Sequence, residues 1–565
     1  MDIQQLTYAI TRHYLNDNLP VLGEELYRKL SGYLRARDIS KLSSALSLVD
    51  MHSHDVDRVR ALLQVEAFFK KNASFADDDL CSLAARASFE KNERICRITN
   101  RRLDYFYAKR DRLDPDLSFW LSKMERTISR CLGPFSEFLN SIPELVRVTA
   151  GATSTDSRRD SAPHRKMKLR YRCPSAGIPY LRAVAKFFGY PAPRCIVSAV
   201  NRVEVVPKSW KTHRTIACEP DGALPFQLAF DTWCKKRLRR LNVDLRFQDR
   251  NQEEARVASV DGSLATIDLA AASDTVAFNT VAWLFPVPWF KYLNAFRSTH
   301  YKGSFGMGNY AKFSSMGNGS TFVVETLVFT AACLAVGSRR YSVYGDDIII
   351  ETELVDDLLR LLKFLGFSVN LEKSFTTGRF RESCGAFWLG GVDVKPFYIR
   401  GSLKRKPELC HVINGLASIA LPGGELWRYL LNFVKEERLM LVPWSEDSTL
   451  GIWIEPYHAY RRRLIRGSTR PKGRSWHQRG VLSFRAYVNK HGLGRYIGNS
   501  QTLALWYLRR YQQKHASDSD PLVCSRETHL THRYERKWVC WFPPARLSPG
   551  HLWWWSEDLL ATLGE

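Results

Sequence analysis

The chain contains no Cys-x-x-C pair; its twelve cysteines are scattered singly from Cys81 to Cys540. That spacing argues against a zinc ribbon and a disulfide framework, so reduced and mostly buried thiols are expected. The one metal-like pattern, Cys524, His529, His532 and Cys540, has its two histidines only three residues apart and flanks an ordinary basic and polar loop, which is a weak warrant for a zinc site. The dipeptide Gly-Lys does not occur, which removes a Walker-type phosphate loop. No run is long and apolar enough to cross a membrane. The least charged stretch, Phe322 to Gly337, holds Glu325 and falls short of the roughly 20 residues required, so it reads as a buried helix. The first residues, Met1 to Gln5, lack the basic head and hydrophobic run of a secretory signal, and a cytoplasmic protein is expected. There is no internal repeat and no low-complexity tract.

What is present is a folded composition with a strong excess of positive charge. With 45% hydrophobic and 25% charged residues the chain sits near globular averages, and 565 residues are enough for several subdomains. Lysine and arginine number 83 against 58 acids, a formal net charge of +25, which points to a polyanionic partner, nucleic acid first. More than half of that excess lies between Pro456 and Ser517, where 14 Lys or Arg occur without one Asp or Glu. Trp476, Phe484, Tyr487, Tyr496, Trp506 and Tyr507 are interleaved there, as expected where phosphates are neutralised and bases stack. Candidate RNA contacts are Arg461, Arg462, Arg463, Arg466, Arg470, Lys472, Arg474 and Arg485; the alternative is a solvated charged face. The tryptophans Trp538, Trp541, Trp553, Trp554 and Trp555 read as a packed anchor for the tail.

From Glu25 to about Leu145 apolar residues recur at helical spacing, with Ser74 as one helix start. A basic stretch of small residues between Thr149 and Arg172 reads as an exposed loop or strand edge. From Val203 to Arg400 short β-type segments alternate with helical ones, giving α+β character.

The strongest chemical signal is Tyr344-Gly-Asp-Asp347 between two β-type triplets, a hairpin with acids at its tip. Adjacent carboxylates repel unless a cation compensates them. Asp268 ends the short apolar strand Ala265 to Leu269, and Asp268, Asp346 and Asp347 together could hold two magnesium ions, whose shells water and phosphates complete. Taken singly, the acids are equally a turn and a strand cap. Six residues on, Asp274 follows a run of small residues; it either caps a helix with Ser273 or accepts a hydrogen bond from a ribose 2′-hydroxyl. Gly317 lies in a small-residue loop, Ser315 to Thr321, able to approach a ligand closely, and Thr321 opens the apolar helix in which Glu325 needs a polar partner. Lys208, Lys211 and Arg214 follow a Val-rich strand and suit a triphosphate if they line a cleft, or one solvated face if they do not. Lys373, after the amphipathic helix Leu354 to Leu365, is either an exposed lysine or the acid that protonates a departing pyrophosphate.

In this order, these segments resemble motifs F, A, B, C and D of viral RNA-dependent RNA polymerases. The wording is similar to replicases of the levivirus family, the small positive-strand RNA bacteriophages, in Ile267-Asp-Leu-Ala-Ala-Ala-Ser-Asp274, Ser314-Ser-Met-Gly-Asn-Gly319, Phe380-Arg-Glu-Ser-Cys-Gly385 and Val392-Asp-Val-Lys-Pro-Phe-Tyr-Ile-Arg400. The resemblance implies a right-hand fold: a mostly helical region 1–130, fingers 131–255 including the basic segment 203–220, a palm 256–400 with an inserted fingers segment near 277–312, and a thumb with a basic, aromatic-rich C-terminal region 401–565. Glu325 stands where many RNA polymerases have Asn, although the levivirus type resembles this chain in having an acid there. It further implies Mg2+, with Mn2+ able to substitute; ribonucleoside triphosphates as substrates; and primer-independent initiation at a C-rich template 3′ end. Single-stranded RNA as template and product, host elongation factors Tu and Ts with a ribosomal RNA-binding protein, and a site of action in the infected cell's cytoplasm follow in the same way. A reverse transcriptase, a two-metal nuclease and a non-enzymatic RNA-binding protein are the rival classes. The first typically carries an aromatic residue where Asp274 stands, and the second gives no reason for a triphosphate cradle.

Overall fold

A computed structural model describes residues 2–47, 55–149, 151–156, 166, 170–400, 403, 405–444, 447–461 and 549–563, with three strands within 466–541. Helices and strands mix along the chain, as α+β requires. The N-terminal part is helical, and its longest helix, Asp78–Ala108, begins at Asp77, whose carboxylate accepts from the N–H groups of Asp79 and Leu80. Ser74 is therefore not the helix start. It lies in the single 3-10 turn Ala73–Phe75, which Asn72 caps.

Two large apolar cores organise the molecule. One gathers Met124, Ile128 and Phe138 from the helices after residue 100 with Phe230, Ile267, Val328 and Ile348. The other joins distant parts of the sequence, packing Leu6, Ile10 and Phe68 against Ile413, Leu430 and Trp555. Trp555 is fully buried and meets Trp427 edge-on at 5.0 Å. Of the expected tryptophan anchor only Trp555 serves that role among the described side chains, because Trp553 and Trp554 are exposed; the side chains of Trp538 and Trp541 lie outside the described residues.

The central sheet has three antiparallel strands in the order Leu264–Ile267, Asp347–Glu351, Ser342–Tyr344. Leu264 pairs with Glu351 and Ile267 with Ile348. Side chains alternate along a strand, and the two faces separate accordingly. Leu264 and Ile349 pack with Ala255 and Ala258 of the helix Asp249–Asp261. Ala265, Ile267, Ile348 and Ile350 join the main core. Both faces are covered, which explains the uninterrupted Ile348-Ile-Ile350 run. The helix Thr321–Ala335 is buried almost all round, each large apolar side chain contributing about 1.5–3 kcal/mol on burial. A second, four-stranded sheet orders His213–Cys218, Val200–Pro207, His300–Gly303 and Gly306–Asn309. Among the described residues no helix is long and apolar enough to cross a membrane.

Candidate active site

Tyr344 pairs with Asp347, so Gly345 and Asp346 form the two-residue turn of the hairpin. Gly345 has φ +63°, and a Cβ there would sit 2.6 Å from the Phe322 ring. Only glycine gives both the left-handed turn and that approach. The Gly345 N–H donates to Thr326 Oγ1 at 3.2 Å, which docks the turn on the buried helix. Asp268 follows Ile267, one residue beyond the last strand pair, and so reaches the same open end of the sheet as Asp347.

Asp268 is held from the far side by the segment that carries Lys373, through two residues, Asn370 and Ser374, that gave no signal in the sequence. Asn370 Nδ2 donates to Asp268 Oδ2 at 2.7 Å, and the Asp268 N–H donates to Ser374 Oγ at 3.0 Å. Lys373 Nζ stands 3.9 Å from the same Oδ2. Burial raises the Asp268 carboxyl, Lys373 and Asn370 pull it back, and Asp346 raises it again. Asp347 is pushed up to about 6, first by burial and then by Asp346 and Asp268, with the Cys384 backbone N–H opposing. Burial alone would depress the Lys373 ammonium, yet Asp268, Glu382, Asp347 and Asp346 outweigh it and hold the group above its ordinary range. Glu382, from the strand Phe380–Ser383, is itself raised to about 7 by burial. Glu382 and Cys384 had been legible only as a family phrase.

Of the three expected phosphate-binding cations, Lys208 comes to this end of the sheet, with Arg214 beside it. Burial, Arg214 and Lys373 depress Lys208, while Asp268 and Asp346 oppose them. Lys211 does not join them as a charge: it is exposed at the hairpin tip and lies 5.1 Å over the Trp210 ring.

A second cluster surrounds Asp274. The alternative reading, a helix cap at Ser273 or Asp274, does not hold, since Ala271 takes the cap position at φ 54° and Asp274 lies within the single turn Ala272–Thr275. Both side chains are engaged elsewhere. Ser273 Oγ donates to Glu325 Oε2 at 2.7 Å, and Lys312 Nζ donates to Asp274 Oδ1 at 2.8 Å. Ser273 is thus the polar partner that Glu325 required; burial still pushes Glu325 up to about 8, with Asp346 and Asp274 adding to the rise. Thr321 points inward, donating to Ser314 Oγ at 2.7 Å. Gly317 makes its close approach to protein rather than leaving room for a ligand: at φ +110°, a Cβ would lie 2.1 Å from the Ala217 carbonyl oxygen.

With this geometry in view, the family can be assigned. A family model described as RNA replicase, beta-chain matches residues 27–425, well over half of the chain. The chain belongs to the RNA replicase beta-chain family. Similar members include the RNA-directed RNA polymerase subunit beta of Qbeta virus (strain MX1), 36% identical over 364 residues, 62% of this chain and 61% of that protein. The subunit beta of Enterobacteria phage SP is 34% identical over 461 residues, 78% of this chain and 77% of its own. The match therefore spans about three-fifths of the Qbeta relative and more of the SP relative. Among solved structures, an RNA-dependent RNA polymerase of BmCPV at elongation state aligns with TM-score 0.38 and 11% identity, over 66% of this chain and 37% of that one.

For a replicase beta-chain the three aspartates raise the matter of a metal. Among the described residues no three acidic, histidine or cysteine side chains converge closely enough to hold an ion as they stand. Asp268 is turned onto Asn370 and Asp347 onto Cys384. The donor set nevertheless fits Mg2+, being all carboxylate oxygen, and Asp346 raises both Asp268 and Asp347, which marks a charge that a cation would relieve. Arg462, Arg463, Arg470, Lys472 and Arg474, like Cys524, His529 and His532, lie outside the described residues, as do the side chains of Arg461, Arg466, Arg485 and Cys540.

Proposed function

We propose that the chain is the catalytic subunit of an RNA replicase and copies a phage RNA genome by template-directed nucleotidyl transfer. The observation that carries this reading is the meeting of Asp268, Asp346 and Asp347 at one end of the sheet, with Lys373 and Lys208 bearing on them. The names of the similar proteins, RNA-directed RNA polymerase subunits, support it.

In this reading Asp268, Asp346 and Asp347 would hold two Mg2+ ions, which supply Lewis acidity at the attacking 3′-hydroxyl and the α-phosphoryl group. Lys208 and Arg214 bind and orient the triphosphate. The 3′-hydroxyl gives up its proton to solvent water as its oxygen bonds to the α-phosphorus, and the bond from that phosphorus to the bridging oxygen of pyrophosphate breaks. Lys373, kept protonated by its carboxylate neighbours, delivers a proton to the leaving oxygen. Asp274 accepts from the ribose 2′-hydroxyl, with Glu325 behind it through Ser273. Gly317 and Thr321 shape the floor of the nucleotide site by fixing its loop. Lys211 is assigned to the edge of the phosphate path and the basic segment Arg461 to Arg485 to the RNA strand. Primer-independent initiation, assistance from elongation factors Tu and Ts and a ribosomal RNA-binding protein, and action in the host cytoplasm complete the proposal.

The test is incorporation of labelled ribonucleotides by the purified chain on a C-ending RNA with Mg2+, with and without bacterial extract. A product complementary to the template supports the reading, and activity only with extract assigns host subunits. Binding of RNA with no incorporation in either condition would replace it with the RNA-binding protein.

A further inference from the structure

Lys312 is fully buried, at 0% exposure. Its ammonium donates to Asp274 Oδ1 at 2.8 Å, lies 3.7 Å from Glu93 Oε1 and stands 4.3 Å over the Phe89 ring. Tyr310 closes another side at 5.1 Å. A lysine taken wholly out of water is costly unless its partners are fixed, and here the backbone fixes them. The Phe313 N–H donates to the Val276 carbonyl at 2.7 Å, Ala277 bridges Lys312, and the Ala311 N–H donates to Glu93 Oε2 at 2.6 Å. The chain segment carrying Lys312 is therefore tied both to the segment carrying Asp274 and to the long helix Asp78–Ala108.

Asp274 itself stands on poor support, a single helical turn entered through a left-handed alanine. Among the described residues the only hydrogen bond to its carboxylate is the one from Lys312 to Oδ1, and the side chain retains 15% exposure. A carboxylate pinned by one oxygen has lost its free rotation and presents the other in a set direction.

We propose that Lys312 is the positioning residue of sugar selection: it fixes Asp274 through Oδ1 so that Oδ2 accepts from the 2′-hydroxyl of the incoming nucleotide. This rests on the polymerase reading and on Asp274 as the sugar contact. Glu93 serves as the second acid that retains the ammonium, and Phe89 and Tyr310 exclude water from it. Selectivity for ribose would then depend on a residue 38 positions beyond the carboxylate it serves and out of reach of the substrate.

The experiment compares kcat/KM for a ribonucleoside triphosphate and its 2′-deoxy counterpart on the same RNA template, in the full chain and in two variants. Lys312→Met removes the cation. Because that leaves Glu93 and Asp274 facing each other, the double variant Glu93→Gln with Lys312→Met restores the charge balance, and glutamine can still accept from the Ala311 N–H. Folding is followed by thermal melting and RNA binding. The expected result is a ribose preference at least about tenfold smaller in the folded variant, as loss of a charge-assisted contact implies, with the rate on the deoxynucleotide within about threefold of the parent. An unchanged preference, or a parallel fall of both rates, would overturn the proposal. Absence of incorporation by the parent chain both with and without bacterial extract would instead overturn the polymerase reading, and incorporation without preference would overturn Asp274 as the sugar contact.

Discussion

Asn370 grips Asp268 at two points: its side-chain amide donates to Oδ2 at 2.7 Å and its backbone N–H donates to the Asp268 carbonyl at 2.9 Å. The same short turn brings the Lys373 N–H onto the Asn370 carbonyl at 3.1 Å and the Lys373 ammonium to 3.9 Å from Oδ2. One loop thus orients a carboxylate and supplies the cation beside it. Because reaction rates fall steeply when a reacting group is misplaced by an ångström, this loop is part of the site although it contributes no metal ligand.

Asn370→Ala removes a hydrogen bond to a charged group, worth roughly 1.5–3 kcal/mol. If the contact orients Asp268, kcat for incorporation falls by about ten- to a hundredfold, with little change in the melting temperature. Steady-state kinetics beside a thermal melt check this; a loss of melting temperature with unchanged kcat in the residual folded protein would make the contact purely structural.

Glu325 gives a prediction in pH. Its folded pKa is raised from 4.5 to about 8, by burial first, so the folded state holds a proton that the unfolded chain has released. Its stabilising contribution is fully present below about pH 4.5 and is lost as pH rises toward about 8. Glutamine imitates the protonated acid and can still accept from Ser273. Glu325→Gln should therefore gain stability relative to the parent across pH 5 to about 8, with the gap level above that. Urea denaturation of the metal-free proteins at a series of pH values measures the gap, and a constant difference would contradict a neutral Glu325.

Lys373→Met should lower kcat by about 10²- to 10⁴-fold if the ammonium is the general acid. RNA affinity should stay within about threefold, since one cation among many contributes little to polyanion binding. Lys373→Arg, which keeps the charge, should recover part of the rate. Single-turnover incorporation with filter binding separates the two effects, and a loss confined to RNA affinity would assign Lys373 to the template instead.

How far the sequence carried the site depended on the range of the interactions involved. The hairpin at Gly345 was legible because apolar β-type triplets flank a glycine that a tight turn requires, and the buried helix because its apolar residues leave no polar face. Asp268 was legible as the end of a short apolar strand. Of the two readings of Asp274, the helix cap does not hold, because two contacts from far along the chain, Glu325 and Lys312, claim the side chains that would have capped. Asn370, Lys312 and Ser374 gave no local pattern at all; each acts across the fold on a residue between 38 and 106 positions away. Gly317 was marked as a point of close approach, but what approaches it is the Ala217 carbonyl of the neighbouring strand, a pairing that no spacing in the sequence encodes. Lys211 shares the spacing of Lys208 and Arg214 yet sits over Trp210, in the turn between the strands Val200–Pro207 and His213–Cys218.

The central claim, that the acids at the sheet end carry the chemistry while distributed cations hold the RNA, is tested most directly by Asp346→Ala. Templated ribonucleotide incorporation and RNA affinity would be measured on the same preparation of parent and variant. The account predicts incorporation below detection with RNA affinity within about threefold of the parent, since that affinity comes from many phosphate contacts. Incorporation at the parent's rate, or loss of RNA binding together with synthesis, would contradict it.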